Sequence, residues 1–132
     1  PYIKVGLRNY KIPKEQQEQA ADLFAIADVL ILPSYDEGLP LVILEALGRG
    51  VPVICTPVGE IPDFFEHKKT AYFVETGNIA SIADALVMLQ DDEQLLNLLG
   101  HNALIYYQEK FSFDAFLKSI YQIYDEVILS HH

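Results

Sequence analysis

A chain of 132 residues, 51% of them hydrophobic, is long enough for one packed domain and too apolar to stay disordered. Nine Lys and Arg against 19 Asp and Glu leave a net charge of −10, which excludes a general affinity for nucleic acid or anionic membrane, since both need basic patches. The single cysteine, Cys55, excludes an intrachain disulfide and fits a small core residue in a reducing cytoplasm.

In chain order, YIKVG (residues 2–6) reads as a short strand. The chain starts at Pro1 rather than Met and is almost at once in a strand, which suggests a piece of a longer protein; His131-His132 looks like a tag remnant. KIPKEQQEQAADLFAIA is expected to turn helical after Pro13, with Ala20, Leu23, Phe24 and Ala27 on one face. DVLILPS is a continuous apolar run of the kind that suits a parallel strand buried on both faces. Pro40 to Arg49 is expected to be helical: Pro40 suits a first turn, Gly50 suits a C-terminal end, and Pro52 follows. VPVICT is the next buried strand, then comes a short helix, and AYFV (71–74) is a short strand after the polar turn EHKKT.

Three helices close the chain. Asn78 caps one that carries Ile79, Ile82, Leu86 and Leu89 on one face. A second runs from Asp92 to Glu109. Ser112 caps a third, residues 112–129, with Phe116, Ile120, Ile123 and Val127 in a stripe. Most of Tyr106, Tyr107, Tyr121 and Tyr124 is expected to pack inside. The alternation predicts an α/β fold, a Rossmann-like parallel sheet with right-handed crossovers and helices on both faces. Four strands fall short of the usual six or so, so residues 1–132 are expected to form one domain, incomplete at its N-terminal end. No apolar run approaches the roughly 20 residues needed to span a bilayer, and no signal peptide is expected.

In open α/β sheets, ligands bind beyond the carboxyl ends of the strands. The loop after DVLILP is such an end. It carries Ser34, Tyr35, Asp36, Glu37 and Gly38, and enters the helix at Leu39-Pro40. Free N–H groups of Gly38, Leu39 and Leu41 make a candidate phosphate site; Pro40 contributes none, and Gly38 lets a ligand approach the backbone closely. Glu37 lies in the loop and Glu45 about two turns into the helix. In a continuous helix the eight-residue offset sets them about 12 Å apart. That is the span of a nucleotide-sugar rather than of a two-carboxylate metal site, with one carboxylate on ribose hydroxyls and the other on sugar hydroxyls. A plainer assignment fits the same residues: Glu37 favours the helix dipole, and Glu45 lies on a solvated face. His67 and His101 sit in polar contexts and read as surface residues. No carboxylate or His cluster has metal-ligand spacing.

DVLILPSYDEGLPLVILEALGRGVPVICTPVGEIPDF resembles the donor-site half of retaining glycosyltransferases with the GT-B fold, the large group 1 family of nucleotide-sugar hexosyltransferases. Glu37 and Glu45 match that family's Glu, seven residues, Glu motif. Pro33, Ser34, Gly38, Pro40, Leu44, Ala46, Gly50, Pro52 and Val53 match the frame around it. The likeness continues more weakly through TPVGEIPDFFEHKKTAYFVETGN, where the family has a second Gly and a Glu at the positions of Glu60 and Asp63, and through FSFDAFLKSIYQIY. It implies that Glu45 holds the ribose hydroxyls and that Glu37 is the catalytic glutamate, on hydroxyls of the donor sugar. Ser34, Gly38, Leu39, Pro40 and Leu41 then belong to the donor-binding set, and the turn Gly6-Leu7-Arg8 lies near the base. The family's Arg and Lys pair, which neutralises the diphosphate, has no match; Lys4 and Arg8 are poorly placed for it.

The resemblance further implies retention at the anomeric carbon without a bound metal or other cofactor. The implied partners are a nucleotide-sugar donor, an acceptor sugar, lipid or polysaccharide, and a missing N-terminal domain through which the parent contacts the inner face of the membrane from the cytoplasm. The fragment alone is expected to be inactive. Two other assignments keep the same fold: a non-catalytic nucleotide-sugar-binding module, and a nucleotide-sugar epimerase. A phosphoacceptor receiver domain would need an acidic cluster after its first strand and a later lysine, and neither is evident.

Overall fold

In the computed structural model, which describes residues 2–5, 8–11 and 24–130, five strands form one sheet. They are β1 (Tyr2–Val5), β2 (Arg8–Lys11), β3 (Val29–Leu32), β4 (Val53–Cys55) and β5 (Tyr72–Phe73), in the order β2-β1-β3-β4-β5. The expected parallel pairing holds from β3 through β4 to β5, with Leu30 beside Val53 and Ile54 beside Tyr72. It fails at β1, which runs antiparallel to β3 and also to β2. Only two residues separate β1 from β2, enough for a hairpin but far too few for the crossover that parallel neighbours need. The sequence reading has no counterpart of β2, because RNYK shows little apolar pattern.

The helices are α1 (Leu41–Leu47), α2 (Ile61–Phe64), α3 (Ile79–Asp91), α4 (Glu93–Lys110) and α5 (Phe113–Ser130). Side chains alternate across the sheet and feed two cores. Leu30, Val53 and Cys55 face one, with Ile43, Ala46 and Leu47 of α1. Val29, Ile54 and Tyr72 face the other, with Ala85 and Leu89 of α3. α4 serves both, giving Leu99 to the second and Ala103 to the first. Cover on both faces is why β3 and β4 are unbroken apolar runs. Of the helical face expected after Pro13, Ala20 and Leu23 lie outside the described residues, whereas Phe24 is buried and Ala27 packs against the first core.

The caps follow the sequence closely. Asn78 Oδ1 accepts the Ser81 N–H, Asp92 Oδ1 accepts the Leu95 N–H, and Ser112 Oγ accepts the Ala115 N–H. α1 ends at Leu47, short of the expected Arg49, and the turn after it closes at Gly50, whose φ is +67°. Gly50 N–H donates to Leu47 O and Val51 N–H to Ala46 O, the paired bonds that a left-handed residue permits after a helix.

Three expectations about apolar faces need correction. Ile79, the first residue of α3, is exposed. Phe116, Ile123 and Val127 of α5 are each more than half exposed, and α5 buries no residue. Its main contact is with α4, because α1, α3 and α4 already cover the sheet. Tyr106 and Tyr107 of α4 pack against the first core, but Tyr121 and Tyr124 are exposed. No helix among the described residues is long and apolar enough to cross a membrane.

His67 is exposed, as expected, yet it has a task. Its Nδ1 accepts the Phe73 N–H at 2.9 Å, and its ring meets Tyr72 and Phe73. That bond needs a bare, neutral Nδ1. Partial desolvation of its ring, then the neighbouring Lys68, holds the His67 pKa below the usual 6.5. The unfolded chain therefore takes up a proton first as pH falls. Stability from this group is present above about pH 6.5 and is lost as pH falls from there through the folded pKa. We expect the melting temperature to drop between about pH 7.5 and 5.5, by more in the wild type than in His67→Gln. An equal drop in both would remove His67 as its source.

Candidate functional site

Because β3, β4 and β5 are parallel, their outgoing loops gather at one end of the sheet. Thr56 N–H donates to Leu32 O at 3.3 Å, and Val74 N–H donates to Cys55 O at 2.9 Å, which ties each strand's exit to its neighbour. Within the first loop, Ser34 Oγ donates to Glu37 Oε1 at 2.7 Å. From the second loop, the fully buried Thr56 donates its hydroxyl to Ser34 O at 2.5 Å. Gly59 then passes directly against the Glu37 backbone: a Cβ built there would lie 1.5 Å from Glu37 O. From the third loop, Gly77 lies under the ring of Tyr35, an otherwise exposed side chain.

Ser34, Glu37, Gly38, Leu39 and Pro40 lie in the loop that leaves β3, and Leu41 and Glu45 lie on α1, the helix which that loop enters. Pro40 has extended backbone angles (φ −73°, ψ 128°), and no side chain caps the helix that follows. The N–H groups of Gly38, Leu39 and Leu41 have no hydrogen bond among the described residues. A side chain at Gly38 would meet nothing within 4 Å. Leu39 packs into the first core and anchors the loop, while Leu41 is exposed.

Glu45 departs from its expected depth. α1 begins at Leu41, so Glu45 is its fifth residue, little more than one turn in. Proline disfavours helical angles in the residue before it, which keeps the helix from starting earlier. The path from Glu37 to Glu45 is half loop, and the spacing of a continuous helix does not apply to it. Glu45 lies on the exposed face opposite Ile43, Ala46 and Leu47, and makes no hydrogen bond or ion pair among the described residues.

The proposed base turn is not brought to this site. Gly6 and Leu7 lie outside the described residues. Arg8 pairs with Val5, next to Lys4 opposite Val29, at the end of the sheet where β3 begins rather than where it ends. The loop carries Asp36 and Glu37 and α1 carries Glu45, with no Lys or Arg from Pro33 to Gly48. Arg49, the next cation, stands 6.0 Å from the Phe24 ring centre. Cys55 is buried, and burial pushes its thiol up to about 12, so it is inert. No group of three or more His, Cys, Asp or Glu among the described residues is placed to hold a metal ion. A separate hollow of about 380 Å³ lies between α2, Lys69 and Tyr106; it shares no lining residue with the loop cluster.

Thr56, Gly59 and Tyr35 are the residues of this cluster that sequence reasoning left without a role. Thr56 had a signal, a hydroxyl closing an otherwise apolar strand. The others depend on loops meeting across the sheet.

The family model for glycosyl transferases group 1 matches residues 4–105. The chain belongs to the group 1 glycosyltransferases. Among other members, it is 35% identical to N-acetyl-alpha-D-glucosaminyl L-malate synthase of Bacillus anthracis over 113 residues, 86% of this chain and 30% of that protein. Sucrose-phosphate synthase from Thermosynechococcus elongatus superposes with a TM-score of 0.72 at 27% identity, over 86% of this chain and 28% of that one. HepE of Anabaena, solved in complex with UDP-glucose, superposes at 0.68 with 24% identity, over 82% of this chain and 29% of that one. The group 1 chain described here thus spans under a third of the length of these proteins, and its fold is that of part of a GT-B glycosyltransferase.

Proposed function

We propose that this chain is the donor-binding half of a retaining glycosyltransferase that moves a hexose from a nucleoside diphosphate sugar to an acceptor. The observation that carries this reading is the stretch from Glu37 to Glu45. Two carboxylates flank three N–H groups that have no hydrogen bond among the described residues, in the loop after β3 and the helix it enters. In this reading Glu45 takes the ribose hydroxyls, Glu37 takes hydroxyls of the sugar, and the N–H groups of Gly38, Leu39 and Leu41 take the diphosphate. Ser34 holds Glu37, and Pro40 sets where the helix starts. The ligand of HepE belongs to the same chemical class.

The chemical barrier is departure of the diphosphate from a carbon that gathers positive charge, and fixed donors aimed at the leaving group lower it. The loop supplies N–H groups but no cation, so the remaining positive charge comes from elsewhere in a longer protein, as does the acceptor site for a sugar, lipid or polysaccharide. The isolated chain is then inactive. The reading asks for no metal. It places the reaction in the cytoplasm, at the inner membrane face when the acceptor is a lipid.

Ligand-observed NMR titration with UDP, GDP and ADP, on this chain and on the complete protein, tests the reading. One nucleotide is expected to bind, and Glu45→Ala to weaken it by about ten- to a hundredfold, the worth of hydrogen bonds to a charged group. Equal affinity in Glu45→Ala, or no binding of any of the three to the complete protein, would overturn it.

A further inference from the structure

We propose that Thr56 is a positioning residue for Glu37, acting through Ser34; the proposal rests on the donor-site reading above. Thr56 is fully buried at the exit of β4, and it grips the neighbouring chain at two points. Its N–H donates to Leu32 O and its hydroxyl donates to Ser34 O, 22 residues away. Ser34 in turn donates its own hydroxyl to Glu37 Oε1. A buried hydroxyl with a β-branched, rotationally stiff side chain is a fixed pointer, so the position of Ser34 follows from that of β4. Gly59, three residues on, lies against the Glu37 backbone.

The consequence is a carboxylate with one oxygen spoken for. Oε1 is held by Ser34, and Oε2 has no partner among the described residues. An ionised carboxylate accepts at both oxygens, so Oε2 is left for a hydroxyl of the donor. Positioning of this kind acts on the rate, because a misplacement of an ångström near the reacting atoms can cost about a hundredfold.

The test uses the complete protein and hydrolysis of UDP-glucose, GDP-mannose and ADP-glucose as probes, in which water takes the sugar as free hexose and nucleoside diphosphate is released, with kcat and donor KM measured separately. Glu37→Gln serves as the reference, and thermal melts accompany every variant. Thr56→Val keeps the shape and removes the donor; we expect kcat to fall about tenfold or more with KM within about twofold. Thr56→Ser keeps the donor and is expected to stay within about threefold of wild type. If Thr56→Val melts too early to assay, Ser34→Ala removes the next link of the same path and is expected to show the same kcat loss. Wild-type kcat in Thr56→Val while Glu37→Gln is impaired would overturn the positioning role and leave the donor site standing. Thr56→Ser as slow as Thr56→Val would overturn it too, since the hydroxyl would not be the agent. An unimpaired Glu37→Gln, or no release from any probe by the wild type, would overturn the donor-site reading and this proposal with it.

Discussion

Replacing Gly59 with alanine is expected to unseat the loop that carries Glu37 and to destabilise the chain by about 2–5 kcal/mol. Two effects add. Gly59 has φ +57°, a left-handed conformation that costs a residue with a Cβ about 1–2 kcal/mol. The new Cβ would also sit 1.5 Å from Glu37 O and 2.6 Å from Glu37 C. Those are backbone atoms, so no side-chain rotation relieves the overlap. Either the first loop or the second must move, with a further cost of about 1–3 kcal/mol for overpacking.

The expected drop in melting temperature is about 10 °C, at a few degrees per kcal/mol for a domain of this size, read by circular dichroism. Nucleotide binding in the NMR titration is expected to be lost with it. Gly38→Ala is the control: nothing lies within 4 Å of that Cβ, and the change in stability is expected to stay within about 0.5 kcal/mol. Equal melting temperatures for Gly59→Ala and wild type would show that the loops after β3 and β4 are not locked together.

The sequence carried the elements whose cause is local or periodic. β3 and β4 were visible as apolar runs because both of their faces are covered, and Asn78, Asp92 and Ser112 cap helices by bonds to residues three positions on. The loop from Ser34 to Leu41 was visible for the same reason, as a strand end running into a helix start. What the sequence hid is contact between distant segments. Thr56 reaches Ser34 across 22 residues, and Gly59 is constrained by the distant Glu37 as well as by its own left-handed backbone. The α5 stripe shows the converse. Its period correctly marks a helix with an apolar face, but period alone does not say whether a partner is there, and within this chain α4 meets only part of it. β1 shows a further limit: a strand's sequence does not carry its direction, and the two-residue link sets β1 against β2 but not against β3.

Glu37→Gln in the complete protein is expected to lower kcat about thirty- to a hundredfold with little change in donor KM. Glutamine keeps the size of the side chain and still accepts the Ser34 hydroxyl at its carbonyl oxygen. It removes the charge, and it turns the second oxygen into an N–H donor that cannot accept from a sugar hydroxyl. A hydrogen bond to a charged acceptor is worth about 1.5–3 kcal/mol, and in the proposed function this one faces a reaction centre that becomes more positive as the diphosphate leaves. The larger share of that energy is therefore expected in the transition state, which is why kcat should move and KM should not. Stability is expected to hold within about 0.5 kcal/mol, because Glu37 is only half-buried and the Ser34 bond survives. Consumption of the donor sugar under saturating conditions measures the effect. A fall in affinity alone would assign Glu37 to ground-state binding, like Glu45. A wild-type rate would return Glu37 to the plainer role its position also allows, a carboxylate favoured by the helix start beside it.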